Sequence, residues 1–425
     1  MSKFSKILVA LLASSFIAAP AFAITADFTG FLQTRGIAYD NMNGNDDLDD
    51  NARGVDSRFR LWTNTALNEN VKAVFAIEVD YIWGSTNNNA VGGAGIGRIG
   101  ADQKGEIEIK QIYLDFNLPS VNTNLKVGTQ YSVLGNGYIL AGDDFTGISA
   151  RYTPTKGHSF LLTWVKAIES DKFDDSADAD YYQLQYDGDF AGWRISPLFG
   201  YYDLQDNDKA LFYGASASGK AGPVALAATL IANDWEVGAN DGTGLAALAS
   251  AKYSLNATTF SAELGYAGDK DNDTSNYANS GRGAFFSVRA YHQVSEIITG
   301  GRFDGRGTIG SNQTVTAASA TSAPYEPNWQ YVKLGAEHKC NDRTKVSAFY
   351  IYAEQAEDPS PTIDKITYGH EIDAYLDYTI HKGLTFTVGG GYLFADNDFG
   401  DNQATAAKEG GDDAWKIGTA LTYTF

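Results

Sequence analysis

The side chains that could support catalysis are few and scattered along the chain. A hydrolase that uses Ser and His needs its nucleophile in a recognisable local motif, within reach of the base. The chain has five histidines and none of them lies in such a motif: His158, His292, His338, His370 and His381. We therefore predict that the protein is not an enzyme.

Metal and haem chemistry also lack the residues they need. Cys340 is the only cysteine, so there is no Cys-x-x-Cys-His motif, and any haem would belong to a partner protein. The acidic run with Asp46, Asp47, Asp49 and Asp50 lacks the ligand spacing of a recognised calcium loop, and solvation explains it more simply. We predict no cofactor and no metal site.

Charged side chains instead recur at alternate positions. Arg58 and Arg60 alternate with Phe59 and Leu61. Residues 71–80 repeat this pattern, with apolar residues at odd positions and charged residues such as Glu78 at even positions. Alternation of this kind predicts β-strands with one apolar and one polar face. In a membrane these charges would have to point away from lipid.

The composition indicates what these strands build. Hydrophobic residues make up 44% of the chain, yet past residue 23 no apolar run is long enough for a transmembrane helix, which excludes a helical membrane protein. The 25 Tyr, 23 Phe and 45 Gly favour strands joined by turns. Apolar residues alternate with polar ones along nearly the whole chain, so we predict an all-β transmembrane barrel. The formal net charge of −20 argues against a nucleic-acid partner.

The first 23 residues have the order of a secretory signal. Lys3 and Lys6 precede an apolar run over 7–19, and small residues follow up to Ala23. The alternative is a lone membrane anchor, for which the run is short. We expect cleavage after Ala23, which leaves one barrel domain over 24–425.

The last strand of the sequence has a marked apolar face. Trp415, Ile417, Leu421, Tyr423 and Phe425 share one parity, and small, polar or charged residues occupy the other. Such a face fits the closing strand of the predicted barrel, and the alternative interpretation is an ordinary amphipathic edge strand.

The spacing of turns predicts an even number of antiparallel strands, between 16 and 20, with a pattern count of about 20. Short turns alternate with longer polar loops, as expected for short periplasmic turns and long outer loops. One short connection falls near Ser295, between longer ones at 269–282 and 305–327. The parity of one strand slips between Lys110 and Gln111, which predicts a bulge.

Three stretches carry a resemblance to a known family. They are 108–115 with 125–131, 368–376 with 389–394, and the closing strand. They resemble bacterial outer-membrane porins, in particular the homotrimeric porins of anaerobic bacteria and the alginate-export-like barrels. The resemblance implies an outer-membrane location, a homotrimer, contact with lipid and lipopolysaccharide, and passive diffusion of small polar solutes and ions. It also implies that the barrel-assembly machinery reads Tyr423 and Phe425.

The same resemblance suggests candidate pore residues. In many porins the third outer loop folds inward and presents carboxylates across the lumen from basic side chains. Here that connection is 135–144, which places Asp143 and Asp144 opposite arginines that we predict to point inward, namely Arg35, Arg58, Arg60 and Arg151. The alternative is that these are ordinary wall charges in contact with water.

The function expected from the sequence is thus a general diffusion channel with weak cation selectivity at low salt. Two alternatives stay open at this point. One is a substrate-specific, alginate-export-like channel, and the other is the barrel sheath of a porin–cytochrome electron conduit.

Overall fold

A computed structural model of the 425-residue chain gives the fold. It describes residues 24–42, 44, 51–85, 107–169, 178–204, 208–237, 240–269, 285–288, 292–304, 307, 328–358, 364–399 and 411–425. The predicted signal segment and the acidic run that includes Asp46 lie outside these residues. Cleavage after Ala23 therefore stays a prediction.

Eighteen antiparallel strands form a single closed sheet, in which each strand pairs with its neighbours in sequence and β1 pairs with β18. The strands are β1 Thr25–Asp40, β2 Ala52–Asn68, β3 Val71–Ile82, β4 Glu108–Leu118, β5 Thr123–Leu134, β6 Leu140–Thr155, β7 His158–Ile168, β8 Ala179–Phe190, β9 Trp193–Asp203, β10 Lys209–Ala221, β11 Val224–Val237, β12 Asn240–Leu255, β13 Thr258–Asp269, β14 Trp329–Lys339, β15 Thr344–Glu354, β16 Thr367–His381, β17 Leu384–Ala395 and β18 Ala414–Thr424. The predictions of an all-β barrel and of an even strand number are confirmed, but the pattern count of about 20 is wrong.

No helix in the part of the chain that the structure describes is long and apolar enough to span a membrane. The helical pieces described are two single 3₁₀ turns, Pro119–Val121 and Gly135–Gly137.

Closure of the barrel depends on the pairing of β1 with β18, which runs from Phe31 opposite Thr424 to Asp40 opposite Trp415. Next to the pair of Phe31 and Thr424, the backbones of Phe425 and Gly30 exchange two hydrogen bonds, at 3.0 and 3.1 Å. A closed ladder leaves no strand edge unpaired. This matters in lipid, where no water can hydrogen-bond to free N–H and C=O groups.

The two faces of the sheet differ as the alternation predicts. Large apolar side chains are exposed on the outside, among them Phe28, Leu114, Leu264 and Ile417. The inward positions carry the charged and amide side chains described below. A charge facing lipid at mid-membrane costs about 2–4 kcal/mol for Lys or Arg, so this arrangement of faces fixes the register of each strand.

Connections between strands are shorter at one end of the barrel than at the other, with the two-residue link between β11 and β12 as an exception. Eight connections of two to four residues occupy one end, including 156–157 and 382–383, where Gly157 and Gly383 take the positive φ that a tight turn requires. The predicted bulge is confirmed as well. Ala76 pairs with Gln111 and Ile77 pairs with Ile109, which leaves Lys110 as the extra residue.

The difference between 18 and about 20 strands is explained by one segment. Residues 285–288 and 292–304, here called the lumen segment, form no strand of the barrel and lie inside it. Phe286 accepts a hydrogen bond from Asn233 on β11, whereas Phe303 accepts one from Arg35 on β1, far around the barrel wall. The alternating apolar residues near Ser295 resemble two strands because packing inside the lumen also buries them.

Candidate functional site: the lumen wall and the segment that crosses it

Arg35 is the first of the predicted pore residues, and it points into the lumen from β1. Its guanidinium holds both oxygens of Asp56 on β2, with Nε to Oδ1 at 2.7 Å and Nη2 to Oδ2 at 2.9 Å. Its remaining nitrogen, Nη1, donates to the carbonyl of Phe303 at 2.7 Å. Arg35 therefore connects the barrel wall to the lumen segment.

Arg58 and Arg60 lie on β2 and are paired with carboxylates of β3. Arg58 donates to Asp80 at 2.8 Å through Nε and is also 3.4 Å from Glu78. Arg60 donates to Glu78 at 2.5 Å. The side chains of Arg58 and Arg60 keep 31% and 23% exposure, so this paired row of charges is accessible from the lumen.

Arg151 lies apart from that row, near the short-turn end of β6. It donates to Asp187 on β8 at 2.7 Å and to Ser159 on β7 at 2.8 Å. Arg194 on β9 approaches the same carboxylate at 3.3 Å. The structure therefore brings three of the four predicted arginines together and places the fourth in a separate cluster.

The predicted position of Asp143 and Asp144 in the third loop is wrong, because strand β6 already begins at Leu140. Asp144 is bound to Lys110 at 3.2 Å and to Gln111 at 2.9 Å, both on β4. The backbone of Asp143 pairs with Ser132, and its side chain is not among those that the structure describes. The carboxylate partners of the four arginines are instead Asp56, Asp80, Glu78 and Asp187.

The third connection does turn inward, although it is short. Gly135–Gly137 forms a single 3₁₀ turn, within which Asn136 takes a positive φ of 53°. The fully buried Tyr138 then donates its hydroxyl to the carbonyl of Ala247 on β12, at 3.0 Å. Because β12 stands six strands away from β6 in the wall, this turn reaches across the interior.

An apolar cluster fills the lumen beside β8 to β12. Phe285 and Phe286 of the lumen segment pack against Tyr138, Tyr202 and Phe212, with ring centroids 5.9 to 6.5 Å apart. All five rings are 0–1% exposed. Sequence reasoning did not find this cluster, because inward-facing aromatic residues resemble lipid-facing ones when the partner segment is unknown.

A row of amide side chains follows β8 beneath that cluster. Tyr181 donates to Gln183 at 2.7 Å, Gln183 to Gln185 at 3.2 Å, and Gln185 to Asp187 at 2.7 Å. The spacing of two residues was the available signal in the sequence, since Gln183, Gln185 and Asp187 share one parity of the strand.

On the opposite side, the lumen segment borders a recess of about 360 Å³ against β14 to β16. Its lining includes Arg302, Lys333, Lys345, Glu337, Phe349 and Tyr375. Within the described ranges no group of three or more His, Cys, Asp or Glu side chains could hold a metal ion.

Comparisons with known proteins find the fold but no sequence family. No family profile matches the chain. No curated protein matches it either.

Solved structures match it at low sequence identity. A BenF-like porin from Pseudomonas fluorescens Pf-5 has a TM-score of 0.60 and 12% identity, over 95% of this chain and 100% of that one. OccK11 (OpdR) of Pseudomonas aeruginosa has a TM-score of 0.55 and 13% identity, over 94% and 96%. OpdK of Pseudomonas aeruginosa, solved with vanillate, has a TM-score of 0.54 and 13% identity, over 94% and 98%.

These likenesses identify the class of fold, which is the closed antiparallel barrel of bacterial outer-membrane porins. The barrel of 18 strands with an apolar outer surface fits a protein of the bacterial outer membrane, as the sequence predicted. One of the structures it resembles is described as a porin.

Proposed function

We propose that this protein is an outer-membrane porin that passes small polar solutes and ions by passive diffusion. One observation carries the proposal. The barrel is apolar outside, and its inner wall carries paired charges that keep contact with the lumen, as on β2 and β3. Charged groups inside a closed barrel are useful where water and solutes pass them.

The path of diffusion that this geometry favours runs along β1 to β6. The inward rings on β8 to β10 are buried under the apolar cluster, and the lumen segment covers β16 and β18, where Glu371 and Lys416 are 0–1% exposed. The arginines on β1 and β2 keep 16–31% exposure. The sequence-based expectation of an open channel with polar walls therefore applies to one side of the lumen.

Weak cation selectivity is the expected property of this path. Arg35, Arg58 and Arg60 face three carboxylates, those of Asp56, Asp80 and Glu78, so the row as a whole is close to neutral. The strongly acidic chain, with a net charge of −20, then favours cations at the mouth, an effect that added salt weakens.

Occupation of the lumen argues against the sheath of an electron conduit. A barrel that encloses a haem protein needs an empty interior, whereas here the lumen segment and Tyr138 of the third connection lie inside it. Vanillate is the ligand in the OpdK structure and is not assigned to this chain. The described residues of the lumen do not favour any particular substrate.

Swelling of liposomes tests the proposal. We expect liposomes that contain the refolded protein to take up neutral sugars, at rates that fall steeply as the sugar becomes larger, because the lumen segment narrows the channel. Liposomes with heat-denatured protein are the control. Absence of swelling with protein that still migrates as a folded barrel on an unheated gel would contradict the proposal.

A further inference from the structure

Two buried carboxylates of β16 bind the backbone of the lumen segment. Glu371 accepts hydrogen bonds from the N–H groups of Ile297 at 2.7 Å and Ile298 at 3.0 Å, one on each oxygen. Asp373 accepts one from the N–H group of Glu296 at 3.2 Å. Both side chains are almost completely buried, at 0% and 1% exposure.

Burial of two neighbouring carboxylates is costly unless they gain strong partners. A buried polar group without a partner costs about 1–3 kcal/mol, and hydrogen bonds from backbone N–H groups are the kind of contact that offsets this cost. These partners come from a segment more than 70 residues away in the sequence. The wall of the barrel alone does not supply them.

Other wall residues add to the same attachment. The hydroxyl of Tyr375 donates to Glu296 at 2.7 Å, and the ammonium of Lys416 donates to the Glu296 carbonyl at 3.1 Å. Arg302 of the segment binds Asp377 at 2.6 Å. The attachment therefore extends along the inward face of β16.

Glycines of the neighbouring strands leave room for it. A Cβ atom at Gly391 on β17 would lie 2.8 Å from the Glu371 oxygen and 3.2 Å from Cβ of Glu296. A Cβ at Gly418 on β18 would overlap the ring of Phe303. Larger residues at these two positions of the wall would overlap the segment or the side chains that bind it.

We infer that Glu371 and Asp373 are positioning residues that hold the lumen segment across the channel and so set its width. The inference rests on the proposed channel function. The reason is that these carboxylates bind the segment through its backbone, at the turn that lies between its contacts with β11 and with β1. Without them, the turn loses three of its hydrogen bonds to the wall.

The double variant E371A/D373A tests this in planar bilayers and in liposome swelling. We expect the single-channel conductance to rise by about twofold or more, with uptake of larger sugars, because the segment leaves the path. Q183A is the control. Gln183 on β8 is also a buried polar side chain with partners on the wall, Tyr181 at 2.7 Å and Gln185 at 3.2 Å, and it lies away from the proposed path.

A disulfide provides the rescue experiment. The 3.2 Å between Cβ of Glu296 and a Cβ built at Gly391 is near the separation of about 3.5–4.5 Å found in disulfides. E296C/G391C is combined with E371A/D373A and with C340S, which removes the exposed native thiol. We expect the oxidised channel to return toward the parent conductance and the reduced channel to show the raised value.

Three outcomes would overturn the inference. These are an unchanged conductance and sugar cut-off in folded E371A/D373A barrels, an equal rise in Q183A, and a disulfide-linked channel that stays as wide as the reduced one. If E371A/D373A does not fold, the single variant E371Q gives the same comparison. A parent protein without conductance would instead contradict the proposed function itself.

Discussion

Replacing Arg58 and Arg60 together by Ala is expected to raise the preference of the channel for cations over anions by roughly threefold or more. Both arginines keep contact with the lumen and are paired with Glu78 and Asp80. Their removal leaves two carboxylates without their cationic partners on the exposed side of the lumen. The cation preference is therefore expected to rise whether the parent channel is cation-selective or anion-selective.

Reversal potentials in a KCl gradient at low salt measure this change. K339A/K382A is the matched control, because it removes two exposed positive charges at the short-turn end of the barrel, one on the last residue of β14 and one in the turn 382–383. An unchanged reversal potential in the arginine variant, or an equal shift in the control, would show that these arginines do not line the path.

Deletion of Phe425 is expected to remove most of the folded barrel from the outer membrane while export continues. The deletion removes both hydrogen bonds to Gly30, which lie at one end of the pairing between β1 and β18, here called the seam. It also removes ring contacts with Phe59 at 6.4 Å and Tyr423 at 5.7 Å. Reading of the terminal aromatic by the assembly machinery, which the sequence resemblance implies, would add to this loss.

The quantity to measure is the amount of protein in the outer-membrane fraction that migrates faster on an unheated gel. F394A is the control, since Phe394 is a similarly exposed outer aromatic residue away from the seam. Normal levels of folded barrel after deletion of Phe425 would argue against both the seam and the recognition role.

The faces of the strands were predictable from sequence because a barrel wall enforces a period of two. Arg58 and Arg60 point inward, and the slip at Lys110 marks a real bulge. These features are local, since each depends on one strand and on the cost of placing a charge in lipid. The homotrimer, also implied by the resemblance, stays a prediction.

The interior of the barrel was not predictable in the same way. A segment packed inside the lumen buries alternate residues much as a strand does, and so the stretch around Ser295 resembles two strands in the sequence. The tight turn at Gly135–Gly137 places Asp144 in β6 rather than in a loop. Glu371 and Asp373 are visible as alternating acids, but their partners are backbone N–H groups from a distant segment, which no spacing rule reveals.

The most direct test of the channel is the single-channel current of the refolded parent protein in a planar bilayer, with a salt gradient across it. We predict stepwise, ohmic openings and a reversal potential that shows a weak preference for cations at low salt and less preference at high salt. Folded barrels that insert into the bilayer without any conductance would contradict the proposed channel, and anion selectivity at low salt would contradict the assignment of the charges that control ion flow.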